Sequence, residues 1–183
     1  MVVLAILGVL AGLAIPYFET TAVDQLQAAA TVVVADIDYA RNLAIANASD
    51  YRLTFTPASN RYQLTHVGSN SLLHALPSSP YKSPTDSATT QTTRLDHLPL
   101  GSGEVRLIGA KRATGSTAEL TEITFTPLGS TTHAEDTLLW LTAGHGASRR
   151  YLAVRVTAVT GLASIDPLTA TPPTGLAALS SLQ

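Results

Sequence analysis

The sequence predicts an α+β protein in which a long N-terminal helix packs on an antiparallel β-sheet head. Three features lead to this fold class. The chain opens with an uncharged apolar run from Met1 to Ile15, and a stripe of apolar residues at helical spacing follows between residues 23 and 44. After residue 50 the period changes, because apolar and polar residues alternate as they do in a half-buried strand.

Length and composition fit one domain with appendages. The chain has 183 residues, of which 13% are charged, and its formal net charge is -2 at pH 7. A balance so close to neutral argues against binding nucleic acid or an anionic membrane through bulk charge. The sequence contains no cysteine, which excludes disulfide bonds and thiolate metal ligands.

The opening run is too short, as it stands, for a complete membrane span. A transmembrane helix needs about 20 apolar residues to cross roughly 30 Å of hydrocarbon. The run to Ile15 extends only about 22 Å, and about six further apolar residues at its front would complete a span. A secretory signal peptide needs a basic region before its apolar core, whereas the first basic residue here is Arg41.

The run also carries features that open a helix locally. Gly8 and Gly12 are four residues apart, a pattern that lets helices approach closely in lipid, and Pro16 lacks a backbone donor. We expect the helix to be broken between Gly8 and Pro16, with helix on both sides. We expect residues 1–22 to contact lipid or the same segment of other subunits through Val2, Val3, Leu4, Ile6, Leu7, Gly8, Val9, Leu10, Gly12, Leu13, Ile15 and Pro16.

Residues 23–50 are predicted to be an amphipathic helix that packs on the head. Asp36 and Arg41 lie off the apolar stripe, and the turn formers at residues 47–50 end the helix. A signal anchor followed by an unrelated surface helix is the alternative. The stripe, with spacings that alternate between three and four, consists of Val23, Leu26, Ala30, Val33, Ile37, Ala40 and Ala44.

Residues 51–165 are predicted to form the β-rich head. Leu53 and Phe55 alternate with polar residues, as do Tyr62 and Leu64 after a turn, so this stretch is typical of a hairpin. The Ser-, Thr- and Pro-rich stretch 68–93 is predicted to be a long surface loop and the tail 166–183 to be irregular, both on the outer face or between neighbouring heads and not against the helical core. Further strands are predicted at residues 104–109, 120–126, 137–142 and 150–159.

Four stretches of the chain carry a resemblance to a known superfamily. The segment VVLAILGVLAGLAIPYF, residues 2–18, is very similar to the prepilin N-terminal methylation segment of type IV pilins and type II secretion pseudopilins. Three later stretches resemble the helix end, hairpin and strands of the H-type pseudopilin and FimT-like group, with a turn at Thr160 and Gly161. These are YARNLAIANASDYRLTFTPASNRYQL (39–64), ITFTPLGS (123–130) and RRYLAVRVTAVTGLASI (149–165).

The resemblance implies a structural subunit of a type IV pilus-like or type II secretion pseudopilus filament, without catalytic activity or cofactor. Its partners would be copies of itself or other pilins, bound through the N-terminal helix, and the assembly machinery. It would sit in the inner membrane before assembly and then in a cell-surface filament, or in the periplasm for a pseudopilus. The alternative is a minor tip or membrane-tethered pilin that binds DNA or a surface.

The opening segment departs from the family at its front. The family's processing site is a glycine followed by a short run with a glutamate, and Ala5 and its neighbours offer no counterpart. Placing Pro16 on the family's proline leaves the chain about a turn and a half short. We therefore expect the natural chain to begin further upstream.

Candidate catalytic and metal-binding residues do not combine into a pattern that such chemistry requires. Ser79 and Lys82 have the spacing of a Ser-x-x-Lys pair, which works on a helical turn, but Pro80 and Pro84 argue against a helix there. The remaining candidates lack a repeated ligand spacing and are predicted to be solvated loop residues: His133, Glu135, Asp136 and His145.

Two further motifs, a basic cluster and a glycosylation sequon, have simple interpretations. Arg149, Arg150 and Arg155 form the one dense basic cluster, which we interpret as a solvated edge, although the association of FimT-like proteins with DNA uptake keeps a binding role open. The tripeptide at residues 47–49, Asn-Ala-Ser, matches a glycosylation sequon that occurs frequently by chance.

Overall fold

The computed structural model describes residues 22–77, 86–99, 105–114 and 118–182. Its long helix, α1, spans Ala22–Ala46. The strands that follow are β1 (Tyr51–Thr56), β2 (Arg61–His66), β3 (Thr90–Arg94), β4 (Arg106–Arg112), β5 (Glu119–Leu120), β6 (Glu122–Phe125), β7 (Thr137–Ala143), β8 (Arg150–Val156) and β9 (Ala163–Ile165). The fold class is α+β, as the sequence predicts.

The strands form two antiparallel sheets, whereas the sequence led us to expect one. Sheet A has the strand order β3-β2-β1-β6, and sheet B has the order β5-β4-β7-β8-β9. The predicted strand 120–126 is divided between them: β5 pairs with β4 in sheet B, and β6 pairs with β1 in sheet A. The chain therefore crosses from one sheet to the other at Thr121.

The hairpin that opens the head has the predicted strands and turn. Tyr51 of β1 pairs with His66 of β2, and Phe55 pairs with Tyr62. Asn60 closes the turn in left-handed backbone, at φ 49°. Its side chain reaches sheet B, since Nδ2 donates to the Val105 carbonyl oxygen at 2.9 Å and Oδ1 accepts from the Leu107 amide at 2.7 Å. One turn residue thus ties the two sheets together.

The predicted loop and tail contain more regular structure than expected. The stretch 68–93 includes a 3₁₀ turn, Ser71–His74, and most of β3, which extends sheet A beside β2. Thr93, at the end of the stretch, also hydrogen-bonds to Asp36 of α1, which lies off the apolar stripe. The tail bridges sheet B at Thr169 and ends in a 3₁₀ helix, Ala177–Leu182. The residue pattern did not predict β9, which lies in the stretch 149–165 that resembles later strands of the family.

One apolar core lies between α1 and both sheets. Sheet A contributes Leu53 and Phe125, and sheet B contributes Leu139 and Val154, all of them buried with the helix in one cluster. A second, small cluster of Ile108, Tyr151 and Leu176 lies under the tail. Because neighbouring residues of a strand point to opposite faces, Tyr151 and Leu152 place these two clusters on opposite faces of sheet B.

Candidate assembly surface

The predicted assembly segment lies outside the described residues. This holds for each of its members: Val2, Val3, Leu4, Ile6, Leu7, Gly8, Val9, Leu10, Gly12, Leu13, Ile15 and Pro16. It also holds for the expected break between Gly8 and Pro16. In the ranges that the structure describes, no helix combines the length and the apolar character of a membrane span.

One face of α1 is buried in the head. Of the predicted stripe, Val23 is half-buried, and the other six residues are buried: Leu26, Ala30, Val33, Ile37, Ala40 and Ala44. Gln25 and Ala29 are buried on the same side, which makes the covered face wider than the stripe. The alanines are small enough to let the helix backbone approach the strands closely.

The opposite face of α1 is exposed in the described residues. Its members are spaced three, four or seven residues apart, so they line one side of the helix. Most of them are small or polar: Asp24, Gln27, Thr31, Ala35, Asn42 and Ile45. The helix therefore carries the head on one side and presents a nearly uncharged surface on the other.

The end of α1 is closed by backbone hydrogen bonds. The Ala48 amide donates to the Ile45 carbonyl oxygen at 3.2 Å, and the Ser49 amide donates to the Ala44 carbonyl oxygen at 3.1 Å. This is the Schellman pattern, with Ala48 in the left-handed position at φ 46°. It turns the chain directly into β1.

Arg41 ties the C-terminal half of α1 to two loops of the head. Its Nε donates to the carbonyl oxygen of Thr160 at 2.7 Å and to that of Gly129 at 3.3 Å. Gly129 and Gly161 both have positive φ, and a Cβ on Gly161 would overlap the Gly129 carbonyl oxygen. Glycine at residue 161 is therefore required for the two loops to meet at Arg41.

Large apolar side chains are exposed around this contact. Leu128 is 90% exposed and precedes Gly129, and Val159 is 80% exposed. Leu162 and Ile45 are about half exposed. These four side chains form an apolar rim at the C-terminal end of α1.

Asp36 fastens the middle of α1 to sheet A. Its Oδ2 accepts hydrogen bonds from the Tyr62 hydroxyl and from the Thr93 Oγ1, each at 2.7 Å. Burial, and then the charge of Asp36, raises the pKa of Tyr62 well above its usual value, so the phenol stays protonated and donates. A small gap beside this contact, lined by Tyr39 and Gln91 among others, is too narrow for a water molecule.

The other candidates from the sequence have structural partners. His133 Nε2 donates to the Glu122 carbonyl oxygen at 3.0 Å, Glu135 accepts from Thr114, and Asp136 accepts from the Ala158 amide. His145 is exposed. Nowhere in the described ranges do three or more His, Asp or Glu residues form a group that could hold a metal ion. Ser79 and Lys82 lie outside those ranges.

The three arginines of the basic cluster make two kinds of contact. Arg155 makes a two-pronged contact with Asp166, at 3.1 and 2.8 Å, and this hydrogen bonding raises the pKa of Arg155. Arg149 and Arg150 donate to carbonyl oxygens of the turn before β8, those of Gly144 and Ala147. Of the three arginines, Arg155 therefore pairs its charge with two carboxylates of the described residues, those of Asp136 and Asp166.

The sequon residues are engaged in the fold. Asn47 Nδ2 donates to the Tyr51 hydroxyl at 2.8 Å, and Ser49 is buried against His66. A glycan on Asn47 would have to break the first of these contacts.

Sequence analysis alone gave no role to Arg41, Asp36 or His66. A polar residue on a helix shows in the sequence only as an interruption of the apolar pattern, and its partners lie on strands far along the chain. The turn at Thr160 and Gly161 was the one available signal for the Arg41 contact.

The chain and its fold can be compared with known families, proteins and structures. No family model and no curated protein matches the chain. Among solved structures, the chain is similar to the type IV minor pilin FimU of Pseudomonas aeruginosa strain PAO1. In space group P21 the TM-score is 0.49 at 14% identity, over 79% of this chain and 90% of that chain. In space group P65 the TM-score is 0.46 at 14% identity, over 78% of this chain and 93% of that chain.

Proposed function

We propose that this chain is a structural subunit of a type IV pilus-like or type II secretion pseudopilus filament, and that it assembles through the apolar segment 1–22. One observation carries the proposal. The uncharged run is followed after six residues by α1, whose one face is buried in the head while the opposite face is exposed. Such a helix can hold its head on one side and contact neighbouring subunits on the other.

The two parts of the N-terminal region suit two environments. The run from Met1 to Ile15 has no polar side chain, so water is an unfavourable surrounding for it, and both lipid and the same segment of other subunits bury it. The 25 residues of α1 extend about 37 Å, and the small residues on its exposed face allow other helices to approach. The subunit can therefore leave the membrane for a filament without exposing the run.

In this proposal the subunit resides in the inner membrane before assembly and in a cell-surface filament afterwards, or in the periplasm if the filament is a secretion pseudopilus. Its partners are copies of itself or other pilins, together with the assembly machinery. The work is mechanical, so the proposal requires no catalytic residue and no cofactor.

A minor tip or membrane-tethered pilin is the second candidate. The exposed apolar rim that includes Leu128 and Val159 is suited to contact with another surface. DNA is the less suitable target, because Arg155 is already paired with Asp166. Mass spectrometry of filaments purified from the native source separates the two candidates: a main subunit dominates the sample, and a tip subunit is a trace component.

The substitution Leu10→Lys tests assembly. A charge buried among apolar neighbours costs several kcal/mol, so we expect filaments to be lost while the head still folds. Leu72→Lys is the matched control, because Leu72 is 86% exposed on the head and a lysine there stays in water. Normal filaments from Leu10→Lys would overturn the proposal.

A further inference from the structure

Three polar side chains meet where α1, β2 and the 3₁₀ turn at residues 71–74 come together. Ser49 Oγ lies 2.7 Å from His66 Nε2, and His66 Nδ1 lies 2.9 Å from His74 Nδ1. Ser49 and His66 are buried, with 9% and 6% of their surface exposed. Gly68 leaves room for this contact, since a Cβ there would overlap Ser49 Oγ.

The bond between the two imidazoles depends on their protonation. A neutral pair has one proton between the two Nδ1 atoms, and the first added proton can go to an outer Nε2 without disturbing that bond. The second added proton puts a hydrogen on both Nδ1 atoms of His66 and His74. The hydrogen bond is then lost, and two positive charges face each other.

This pair joins a surface segment to the head. The turn at residues 71–74 carries His74, and Leu76 just beyond it is buried, with its amide donating to the Ala88 carbonyl oxygen at 2.9 Å. At the other end of the segment the Val67 amide donates to the Asp50 carbonyl oxygen. Between these two points, the imidazole pair connects the turn to the end of β2.

We propose that His66 and His74 form a proton-operated latch, which holds segment 67–77 on the head at neutral pH and releases it when both imidazoles are protonated. The groups that face His66 are His74 on the turn, Ser49 and Asp50 at the end of α1, and Tyr51 of β1, whose ring edge packs on it at 4.9 Å between centroids.

The direction of the pH effect follows from the surroundings of His66. Burial lowers its pKa, the charge of His74 lowers it further, and the charge of Asp50 partly offsets both. An open segment therefore binds protons more readily than the closed one. The closed form is fully favoured above the ordinary histidine pKa of about 6.5, and it weakens as the pH falls from there toward the lower pKa of the closed form.

Hydrogen exchange of the full chain in a neutral detergent tests the latch. We compare about pH 7.5 with about pH 4.5, on either side of the histidine range, with labelling times corrected for intrinsic exchange. The amides of Leu73 and Leu76 are hydrogen-bonded in the closed segment. We expect them to exchange about five- to tenfold faster at acidic pH, because the second added proton removes the hydrogen bond between the imidazoles and one net hydrogen bond is worth about that factor, while α1 stays protected. Equal protection at both pH values would overturn the proposal.

Two variants make the test specific. Asparagine in His74→Asn keeps an uncharged hydrogen-bonding group near the Nδ1 position and removes the facing charge, so we expect its segment to lose much less protection on acidification than the wild type does, with only the burial of His66 still opposing protonation. His97→Asn is the matched control, because the His97 side chain is 68% exposed, and it should respond to pH as the wild type does. Loss of protection in His74→Asn on acidification, equal to that of the wild type, would contradict the latch.

A measurement on the unchanged chain covers the case in which His74→Asn does not fold. Nitrogen NMR of the histidine side chains follows the two imidazoles directly. We expect His66 to titrate below the ordinary histidine pKa, because burial and the charge of His74 both oppose its protonation. Titration of His66 at or above the ordinary histidine pKa would reject the proposal.

Discussion

Ala48 adopts left-handed backbone at the C-terminal end of α1, with φ 46°, at a position where glycine is the usual residue. A Cβ in this conformation costs roughly 1–2 kcal/mol. The two amide hydrogen bonds of the Schellman pattern, from Ala48 and Ser49, offset that cost. The local backbone is therefore held by the helix end and by the entry into β1, against the preference of the side chain.

We predict that Ala48→Gly raises the free energy of unfolding by up to about 1 kcal/mol, because relief of the Cβ strain exceeds the entropic cost of glycine. Urea denaturation followed by the fluorescence of Trp140, the one tryptophan of the chain, measures the change. Ala46→Gly is the control: Ala46 is the last residue of α1 and is exposed, so glycine there should be neutral or destabilising by up to about 1 kcal/mol. Stabilisation by Ala46→Gly equal to that of Ala48→Gly would contradict this account.

Single residues also show the limits of sequence reasoning. Apolar spacing was enough to point to the face of α1 that contains Leu26 and Ile37, because burial of such residues is governed by hydrophobicity. It gave no indication of Gln25, a polar residue that is nevertheless buried. Apolar spacing also did not indicate that His66 and His74 form a pair, because their contact depends on how a surface turn folds back on β2.

The contact between α1 and its two loops is the clearest case in which one element depends on another. Arg41 donates to both loops, and Gly161 of one loop lies close against the Gly129 carbonyl of the other. Gly146 has a similar positive φ, 53° against 63°, but nothing lies within 4 Å of the position of its missing Cβ. A comparison of substitutions at these two glycines therefore distinguishes the cost of backbone strain from the cost of crowding.

We predict that Gly146→Ala costs about 1–2 kcal/mol of unfolding free energy, which is the strain of left-handed alanine. Gly161→Ala should cost a further ~1–3 kcal/mol, because the Gly129 carbonyl has to move and the Arg41 hydrogen bonds are disturbed. The same urea denaturation measures both variants. Equal losses would mean that the two loops do not depend on close approach at Gly161.

Strands were predictable where apolar residues alternate or cluster, and were missed elsewhere. β1, β2, β7 and β8 lie where the sequence placed them, because each has a buried apolar face. β3 has the sequence TQTTR and gave no apolar pattern, since it lies at the edge of sheet A and is mostly polar. The division into two sheets was also hidden, because the predicted strand 120–126 changes sheets at a single residue, Thr121.

At the scale of the whole molecule, the described residues form a head built on one side of a helix. The core joins α1 to both sheets in a single cluster, and contacts from Asn60, Asp36 and Arg41 fix the three layers to one another. The helix thus belongs to the head through one face, while its other face is exposed. That division is what a subunit needs if it is to keep its fold while it joins a filament.

The most direct test of the central claim is to ask what residue 10 touches in an assembled filament. A photo-crosslinking amino acid in place of Leu10 is activated in purified filaments, and mass spectrometry identifies the peptide to which it is joined. The account predicts crosslinked dimers in which the partner peptide lies within residues 1–22 of another chain. Crosslinks from residue 10 to residues 51–165 of its own chain, with no such dimers, would contradict assembly through the N-terminal segment.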